Sequence, residues 1–198
     1  MKITSMENHA RKLYTEEEYL ALERKAEFKS EYFAGEIFMM AGAKEKHNLI
    51  TWNLLSELHS VFKNKPCKAY PSDMRVRVAD NGLYTYPDIS IVCDKAEFLD
   101  ENTDTLLNPI VLIEVLSEST ESYDRGKKFE FYRTIPSLKE YILVSTTHQK
   151  IEKYKRNQNS WILTESETRK PFTIESIDCT LHLEDVYAKV EWNEIKKI

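Results

Sequence analysis

The chain contains little cysteine, glycine or proline, and each scarcity excludes a class of protein. Its 198 residues include only Cys67, Cys93 and Cys179, which are widely separated and show no CxxC spacing. An odd number of unclustered cysteines predicts neither a disulfide framework nor a thiolate zinc site. Four glycines and six prolines argue against long flexible linkers.

Long apolar runs are also lacking. No run approaches the roughly 20 residues that are needed to span a bilayer, and the N-terminal segment has no apolar core of the signal-peptide type. We therefore expect a cytoplasmic protein without membrane contact. A content of 41% hydrophobic and 31% charged residues predicts one globular domain over residues 1–198. We expect residues 1–14 to form a loosely ordered N-terminal arm of that domain.

An excess of basic residues, common in nucleic-acid-binding proteins, is missing. The net charge is -5, which counts mildly against nonspecific binding of nucleic acid. The charges are unevenly distributed, however, because residues 97–121 contain acids and no bases whereas bases outnumber acids over residues 123–156. The basic stretch is compatible with a phosphate-facing side, and a solvated surface helix and hairpin is the other interpretation.

Several familiar catalytic motifs are absent. The sequence has no GxSxG, no Walker-type GxxxxGK, no GxGxxG and no pair of histidines spaced for zinc. The absences narrow the field of reactions without choosing one.

The periodicity of apolar residues predicts a mixed fold. The clearest helix is 44–62, where Ile50, Leu54 and Leu58 recur at helical spacing and place His47 on the same inward side. Further helices are predicted at 15–25, 124–134 and 183–189, and strands at 33–40, 68–78, 86–92, 110–116, 141–145, 150–154 and 161–164. Residues 97–108 are expected to form an acidic loop or a short helix. This order predicts an α/β or α+β domain with a mixed sheet, not a doubly wound fold.

Glu114 is the most unusual residue of the predicted strand 110–116, NPIVLIEVLSEST in context. An apolar run of this kind is typical of a strand that is covered on both faces, and an ionised carboxylate there needs a partner. The partner is either a metal ion or a buried Arg or Lys, and the sequence favours neither at this point.

Asp88 supplies a second carboxylate, in the segment TYPDISIV. Pro87 makes the backbone irregular where Asp88 enters its strand, and the long connection to Glu114 allows the two strands to lie side by side. Two converging carboxylates form a hard-oxygen site that suits Mg²⁺ or Mn²⁺. Together with a lysine they are the minimal set for metal-dependent phosphodiester hydrolysis, as in PD-(D/E)xK nucleases. Leu116, however, stands where those nucleases usually carry the lysine.

Five segments together resemble a known family. PSDMRVRV (71–78), YPDISIVC (86–93), LIEVLSEST (112–120), YDRGKKFEFYR (123–133) and IPSLKEYILVS (135–145) resemble, in this order, the Uma-two family of endonucleases. The resemblance runs from about residue 15 to 190. It implies a restriction-endonuclease-like core, with a central mixed β-sheet flanked by helices, and a Mg²⁺- or Mn²⁺-dependent endonuclease that acts on DNA.

The resemblance also implies site residues. The family's lysine is thought to have moved to the helix after the strand, where Lys128 matches it, although the neighbouring Lys127 is an alternative. Asp88, Glu114 and the backbone carbonyl of Val115 are the expected metal ligands. Three further positions match the family, each with a simpler structural interpretation. These are Glu36 (additional carboxylate or exposed strand residue), His47 (phosphate ligand, partner of a carboxylate or core histidine) and Asp73 (support for the site or partner of a nearby arginine).

Other functions remain open at this stage. The alternative from another class is a catalytically inactive nuclease fold that binds nucleic acid or a protein partner, which Leu116 and the acidic net charge favour. A third interpretation treats Glu114 as half of a structural ion pair. Nucleases of this kind often pair to cut both strands, so a homodimer is one expectation, although no segment identifies a dimer surface.

Overall fold

The computed structural model describes residues 12–192, so most of the predicted N-terminal arm lies outside the described residues. The helices are α1 (Glu16–Glu23), α2 (Glu45–Phe62), α3 (Glu121–Tyr123), α4 (Phe129–Tyr132) and α5 (Leu183–Val186), with a π-helical turn at Asp124–Lys128 and a 3-10 turn at Glu175–Ile177. The strands are β1 (Ser30–Phe33), β2 (Glu36–Met39), β3 (Cys67–Pro71), β4 (Arg75–Val78), β5 (Leu83–Thr85), β6 (Ile89–Cys93), β7 (Thr105–Leu106), β8 (Val111–Val115), β9 (Glu140–Val144), β10 (Ile151–Asn157), β11 (Ser160–Glu165), β12 (Phe172–Ile174) and β13 (Cys179–Leu181).

The strands form two large sheets and a small one. The first sheet has the order β2-β1-β5-β4-β7 and the second has the order β11-β10-β9-β8-β6-β3, while β12 and β13 pair separately. In the second sheet β8 and β9 run parallel and the other neighbours run antiparallel. The predicted mixed sheet flanked by helices is therefore confirmed.

The long helix α2 covers one face of the second sheet. Ile50, Leu54, Leu58 and Phe62 are buried along one side of it, as their spacing predicts. They pack with residues of β6, β8 and β9 and with the C-terminal segment in one apolar cluster. This packing fixes the first turn of α2, which carries His47, against the second sheet.

The opposite face of the second sheet packs against the first sheet and the helical segment 121–132. A second apolar cluster contains Val76 of β4, Leu112 of β8, Phe131 of α4 and Tyr141 of β9. The remaining face of the first sheet is covered by α1, where Tyr19 packs on Tyr32 and Tyr84. Side chains that enter the space between the sheets can thus come from either sheet or from the helical segment.

The predicted single strand 68–78 is wrong, because a turn divides it. The N–H of Met74 donates to the carbonyl of Pro71 at 3.0 Å, and the chain crosses from β3 in the second sheet to β4 in the first. It returns between β5 and β6, so Asp88 lies where the chain passes from one sheet to the other. Alternation alone cannot reveal such a crossing, since both halves have the same period.

The hairpin formed by β1 and β2 corrects another boundary. The sequence predicts a strand only from residue 33, whereas β1 begins at Ser30 and pairs with β2 through Ala34 and Gly35. Both turn residues have positive φ, 51° for Ala34 and 87° for Gly35, which is the backbone of a tight two-residue hairpin turn.

The expectation of no disulfide is also wrong. Cys67 and Cys93 stand directly opposite each other in the β3–β6 pair and are joined by a disulfide. Their separation of 26 residues gave no signal, because only the strand register brings the two side chains together. Cys179 is a free, buried thiol.

Candidate active site

Glu114 lies in β8, and Asp88 directly precedes the neighbouring strand β6, so the two carboxylates come together from adjacent parts of the second sheet, as predicted. Ile89 opposes Ile113 in the antiparallel β6–β8 pair. Asp88, which precedes Ile89, and Glu114, which follows Ile113, therefore lie next to each other at the end of this pair. The N–H of Val115 donates to Asp88 Oδ2 at 2.8 Å, and the Asp88 N–H lies 3.5 Å from Glu114 Oε2. The two carboxylates are thereby held together by backbone groups.

Two side chains of the helical segment contact the buried Glu114. Glu114 is 4% exposed, and its Oε1 lies 2.9 Å from Lys128 Nζ. The same oxygen accepts a hydrogen bond of 2.9 Å from the hydroxyl of Tyr132. Of the two kinds of partner left open for Glu114, a metal ion or a buried Arg or Lys, the described residues supply the lysine.

Burial, aided by nearby carboxylates, favours the neutral form of the Glu114 carboxyl group. Desolvation by burial raises the pKa of Glu114 to about 8, and the nearby carboxylates of Asp124 and Asp88 add to that rise against the attraction of Lys128. The pKa of Lys128 is raised well above its ordinary value, because Glu114, Glu31 and Asp124 outweigh its desolvation. The surrounding carboxylates thus raise the pKa of Lys128 and add to the rise that burial causes for Glu114. The raised pKa keeps the Lys128 ammonium group protonated.

The π-helical turn aims Lys128 inward and leaves Lys127 outside. Lys128 Nζ lies 3.4 Å from Asp124 Oδ1, one turn earlier, and the Lys128 side chain is 8% exposed. Lys127 instead pairs with Glu130 at 3.0 Å on the surface. The carbonyl of Asp124 accepts a hydrogen bond of 3.0 Å from Tyr141 of β9, which anchors the turn to the second sheet. Such π-helical turns recur at functional sites.

His47 contacts the Asp88 carboxylate from the other side of the second sheet. Its Nε2 lies 3.1 Å from Asp88 Oδ2, which also accepts the Val115 N–H. Since Asp88 is the acceptor, Nε2 carries the proton, and Nδ1 of a neutral ring is then an acceptor. That Nδ1 atom is buried and has no hydrogen-bond partner among residues 12–192. His47 is thus a partner of Asp88.

Glu36 and Asp73, two further residues that the resemblance singled out, have surroundings different from those of Asp88 and Glu114. Glu36 begins β2, an edge strand of the first sheet, and lines a shallow recess with Lys12 and Tyr14. Asp73 is exposed and pairs with Lys29 at 2.9 Å, so both expectations for it, support of the site and pairing with Arg75 or Arg77, are wrong.

Sequence reasoning missed Glu31, Thr85 and the polar role of Tyr132. Glu31 Oε1 lies 3.9 Å from Lys128 Nζ and accepts a hydrogen bond from Thr85 Oγ1. Tyr132 is a fully buried aromatic residue, and its hydroxyl donates a hydrogen bond to Glu114 Oε1. The signal for Glu31 was the Ala34-Gly35 turn, because a hairpin there puts residues 30–33 on a strand.

A membrane-spanning helix and a cluster of three metal-binding side chains are both absent from the described residues. Within residues 12–192, no helix is long and apolar enough to cross a membrane. The same residues contain no group of three His, Cys, Asp or Glu side chains arranged to hold a metal ion. Asp88 and Glu114 are therefore two neighbouring carboxylates without a third such side chain arranged with them to hold a metal ion among these residues.

The sequence is similar to a known protein family and to two proteins of Synechocystis. The family model Uma2, described as "Putative restriction endonuclease", matches residues 16–183. The uncharacterized protein sll1609 of Synechocystis is 38% identical over 155 residues, which are 78% of this chain and 88% of that protein. The uncharacterized protein slr1290 of the same organism is 33% identical over 172 residues, or 86% of this chain and 90% of that protein.

A solved structure shares the fold. The crystal structure of a "putative nuclease" from Anabaena variabilis superposes with a TM-score of 0.70 and covers 86% of this chain and 96% of its own. Its sequence identity of 23% makes this a likeness of fold. The sequence match spans most of the chain and both comparisons indicate a nuclease-like fold, so the chain belongs to the Uma2 family of restriction-endonuclease-like proteins.

Proposed function

We propose that this protein is a metal-dependent endonuclease that hydrolyses phosphodiester bonds of nucleic acid, with DNA as the first candidate substrate. The observation that carries the proposal is the meeting of Asp88, at the start of β6, and Glu114 of the adjacent strand β8 beside the buried ammonium group of Lys128. Two carboxylates and a lysine in this relation are what metal-dependent phosphodiester hydrolysis requires.

The donor set fits a small hard cation. Mg²⁺ is usually bound by one or two carboxylates together with water and substrate phosphate, so it needs no cage of three side chains. Asp88 Oδ1 has no hydrogen-bond partner among the described residues, whereas Oδ2 is occupied by Val115 and His47. The excess of carboxylates around Lys128 likewise favours an additional positive charge. Asp88, Glu114 and the carbonyl of Val115 would hold Mg²⁺ or Mn²⁺.

The chain's own residues have distinct tasks in this mechanism. A bound divalent cation supplies polarisation of the phosphate and a lowered pKa for a water ligand. Lys128, which stays protonated, offers positive charge to the anionic transition state and orients the attacking water, but it does not act as a base. His47 orients Asp88 through the contact of Nε2 with Oδ2. Tyr132 holds Glu114 with its hydroxyl.

Leu116 does not remove the lysine from the site. Its side chain is 2% exposed and belongs to the apolar cluster between the sheets. Lys128 reaches Glu114 from the helical segment and supplies the cation that position 116 lacks. An inactive nuclease fold that only binds a partner is the competing proposal.

The proposal is tested by cleavage of supercoiled plasmid and single-stranded DNA with Mg²⁺ or Mn²⁺, or with EDTA. We expect cleavage only with metal, and a loss of about 100-fold or more in Asp88→Asn and in Lys128→Met. Lys127→Met is compared with Lys128→Met and should have the smaller effect, because Lys127 lies on the surface. Full activity of Asp88→Asn would falsify the mechanism.

Calorimetric titration with Mn²⁺ separates the active from the inactive proposal. Wild type should bind the ion and Asp88→Asn should bind it at least about tenfold more weakly, since metal binding needs the carboxylate. A folded wild-type protein that neither binds Mn²⁺ nor cleaves DNA would leave the inactive binding protein as the function.

A further inference from the structure

We propose that Glu31, held in place by Thr85, is a positioning residue for Lys128, so that the first sheet completes the active site. This inference rests on the proposed function, because it concerns the lysine that is assigned there to the reacting phosphate. Glu31 lies on β1 and Thr85 on β5, and neither strand belongs to the sheet that carries Asp88 and Glu114.

Three carboxylate groups lie around the Lys128 ammonium group and form ion pairs with it. Glu114 of β8 lies 2.9 Å from Nζ, Asp124 of the π-helical turn lies 3.4 Å away, and Glu31 of β1 lies 3.9 Å away. Each carboxylate comes from a different element, so the ammonium is fixed from three directions. Glu31 alone approaches from the first sheet.

Glu31 is itself held by a hydrogen bond. Thr85 Oγ1, which is fully buried, donates to Glu31 Oε1. In the β1–β5 pair Tyr32 opposes Tyr84, so Glu31 and Thr85 are adjacent positions on neighbouring strands. The strand pairing therefore brings the hydroxyl to the carboxylate, and Glu31 cannot rotate away from Lys128 without losing that bond.

The contacts close a ring, which we call the polar ring, through Glu31, Thr85, Tyr132, Glu114 and Lys128. Thr85 Oγ1 lies 3.4 Å from the Tyr132 hydroxyl, which donates to Glu114 Oε1 at 2.9 Å, and Glu114 contacts Lys128. A buried polar network whose members all have partners restricts the conformations of each. The polar ring links both sheets and the helical segment at the site.

The exposure of the three carboxylates indicates how Glu31 acts. Its side chain is 17% exposed, against 5% for Glu114 and 4% for Asp124. Glu31 therefore lies on the more solvent-exposed side of Lys128, where it sets the direction of a flexible four-carbon side chain. A displacement of about 1 Å at a reacting group can cost on the order of 100-fold in rate. Because Glu31 contacts the lysine, its effect on the reaction passes through Lys128.

The test compares kcat, KM and Mn²⁺ affinity in four variants. We expect Glu31→Gln to lower kcat about 10- to 100-fold with KM and Mn²⁺ affinity changed less than about threefold. Thr85→Val should lower kcat in the same direction, whereas Thr85→Ser, which keeps the hydroxyl, should restore most of it. Glu27→Gln removes an exposed charge from the same part of the chain and is the matched control. An unchanged kcat in Glu31→Gln, or a rise in KM alone, overturns the inference. If Glu31→Gln does not fold, the Thr85 pair decides by the same criteria.

A second comparison asks whether Glu31 acts through Lys128. In a Lys128→Met background, Glu31→Gln should lower the residual rate no further, because the group that it positions is gone. An equal fall in both backgrounds would show an independent role and overturn the inference.

The two proposals can fail separately. If wild type cleaves no DNA with any metal, the proposed function fails. Urea unfolding of wild type, Glu31→Gln, Lys128→Met and the double variant then tests whether Glu31 and Lys128 interact. Non-additive midpoint shifts for Glu31→Gln and Lys128→Met support this interaction, and additive shifts overturn it.

Discussion

At the scale of single residues, the ionisation of Glu114 decides how the metal-free site responds to pH. Burial raises the pKa of this carboxyl group from its ordinary value of 4.5 to about 8. The folded protein therefore binds a proton between these values that the unfolded chain has released. By linkage, the stabilising contribution is fully present below about pH 4.5 and is lost as pH rises through about 8.

We predict that the free energy of unfolding of metal-free wild type falls from about pH 5 to about pH 8 relative to that of Glu114→Gln. The glutamine keeps the shape of the side chain and cannot ionise, so the difference between the two proteins isolates Glu114. Urea unfolding in EDTA at several pH values measures it. A difference that does not change with pH, or that changes in the opposite direction, would contradict the assigned pKa shift.

At the scale of elements, strand register determines features that lie far apart in sequence. The β3–β6 pairing places Cys67 opposite Cys93, and the β6–β8 pairing places Asp88 beside Glu114. The helical segment 121–132 combines α3, the π-helical turn and α4, and it brings Lys128 and Tyr132 to the same oxygen of Glu114. The disulfide and the site thus share one strand, β6.

We predict that protein purified without reductant exposes one reactive thiol when unfolded, that of Cys179, and three after reduction. Reduction should lower the free energy of unfolding by about 2–4 kcal/mol, because the disulfide restricts the unfolded chain. Thiol titration in denaturant counts the groups. Cys67→Ser is the control, since its stability should not respond to reductant. Three thiols without reductant would show that the pair is open.

At the scale of the whole molecule, the site lies where two sheets and a helical segment meet. Phe131 of α4 contacts Phe33 of β1 with ring centroids 4.7 Å apart, in the cluster that also contains Leu112 of β8. This packing holds the helical segment against both sheets. The stability of the fold and the placement of Lys128 therefore depend on the same apolar contacts.

We predict that Phe131→Ala lowers the free energy of unfolding by about 3–5 kcal/mol, because it leaves a cavity between the sheets. Cleavage should fall with it even in the folded fraction, since Lys128 lies three residues earlier on the same segment. Urea unfolding and the cleavage assay measure the two effects. Phe28→Ala, at a side chain that is 68% exposed, should change stability by less than about 0.5 kcal/mol. A Phe131→Ala protein of wild-type stability would disprove this account of the packing.

Much of the fold could be predicted because its signals are local. Thr15 and Glu18 form the capping box that starts α1, and the spacing of Ile50, Leu54 and Leu58 identifies α2. Asn81-Gly82 is a strong turn signal, and the turn joins β4 to β5. The prediction that strand 86–92 pairs across it is wrong, because the partner is β5 (Leu83–Thr85). The division of 68–78 between two sheets could not be predicted, because a strand's period does not specify its partner.

The sequence by itself determined that Glu114 needs a compensating partner, since an apolar strand cannot bury a lone charge, and that Asp88 is a second carboxylate for the same site. The family resemblance added Lys128, with Lys127 as the alternative. Only the tertiary structure decided which groups surround Glu114. Glu31, Thr85 and Tyr132 reach the site from three different elements, and His47 approaches Asp88 from a fourth. Their distances depend on how two sheets pack across a helical segment, and no local pattern of residues encodes that packing.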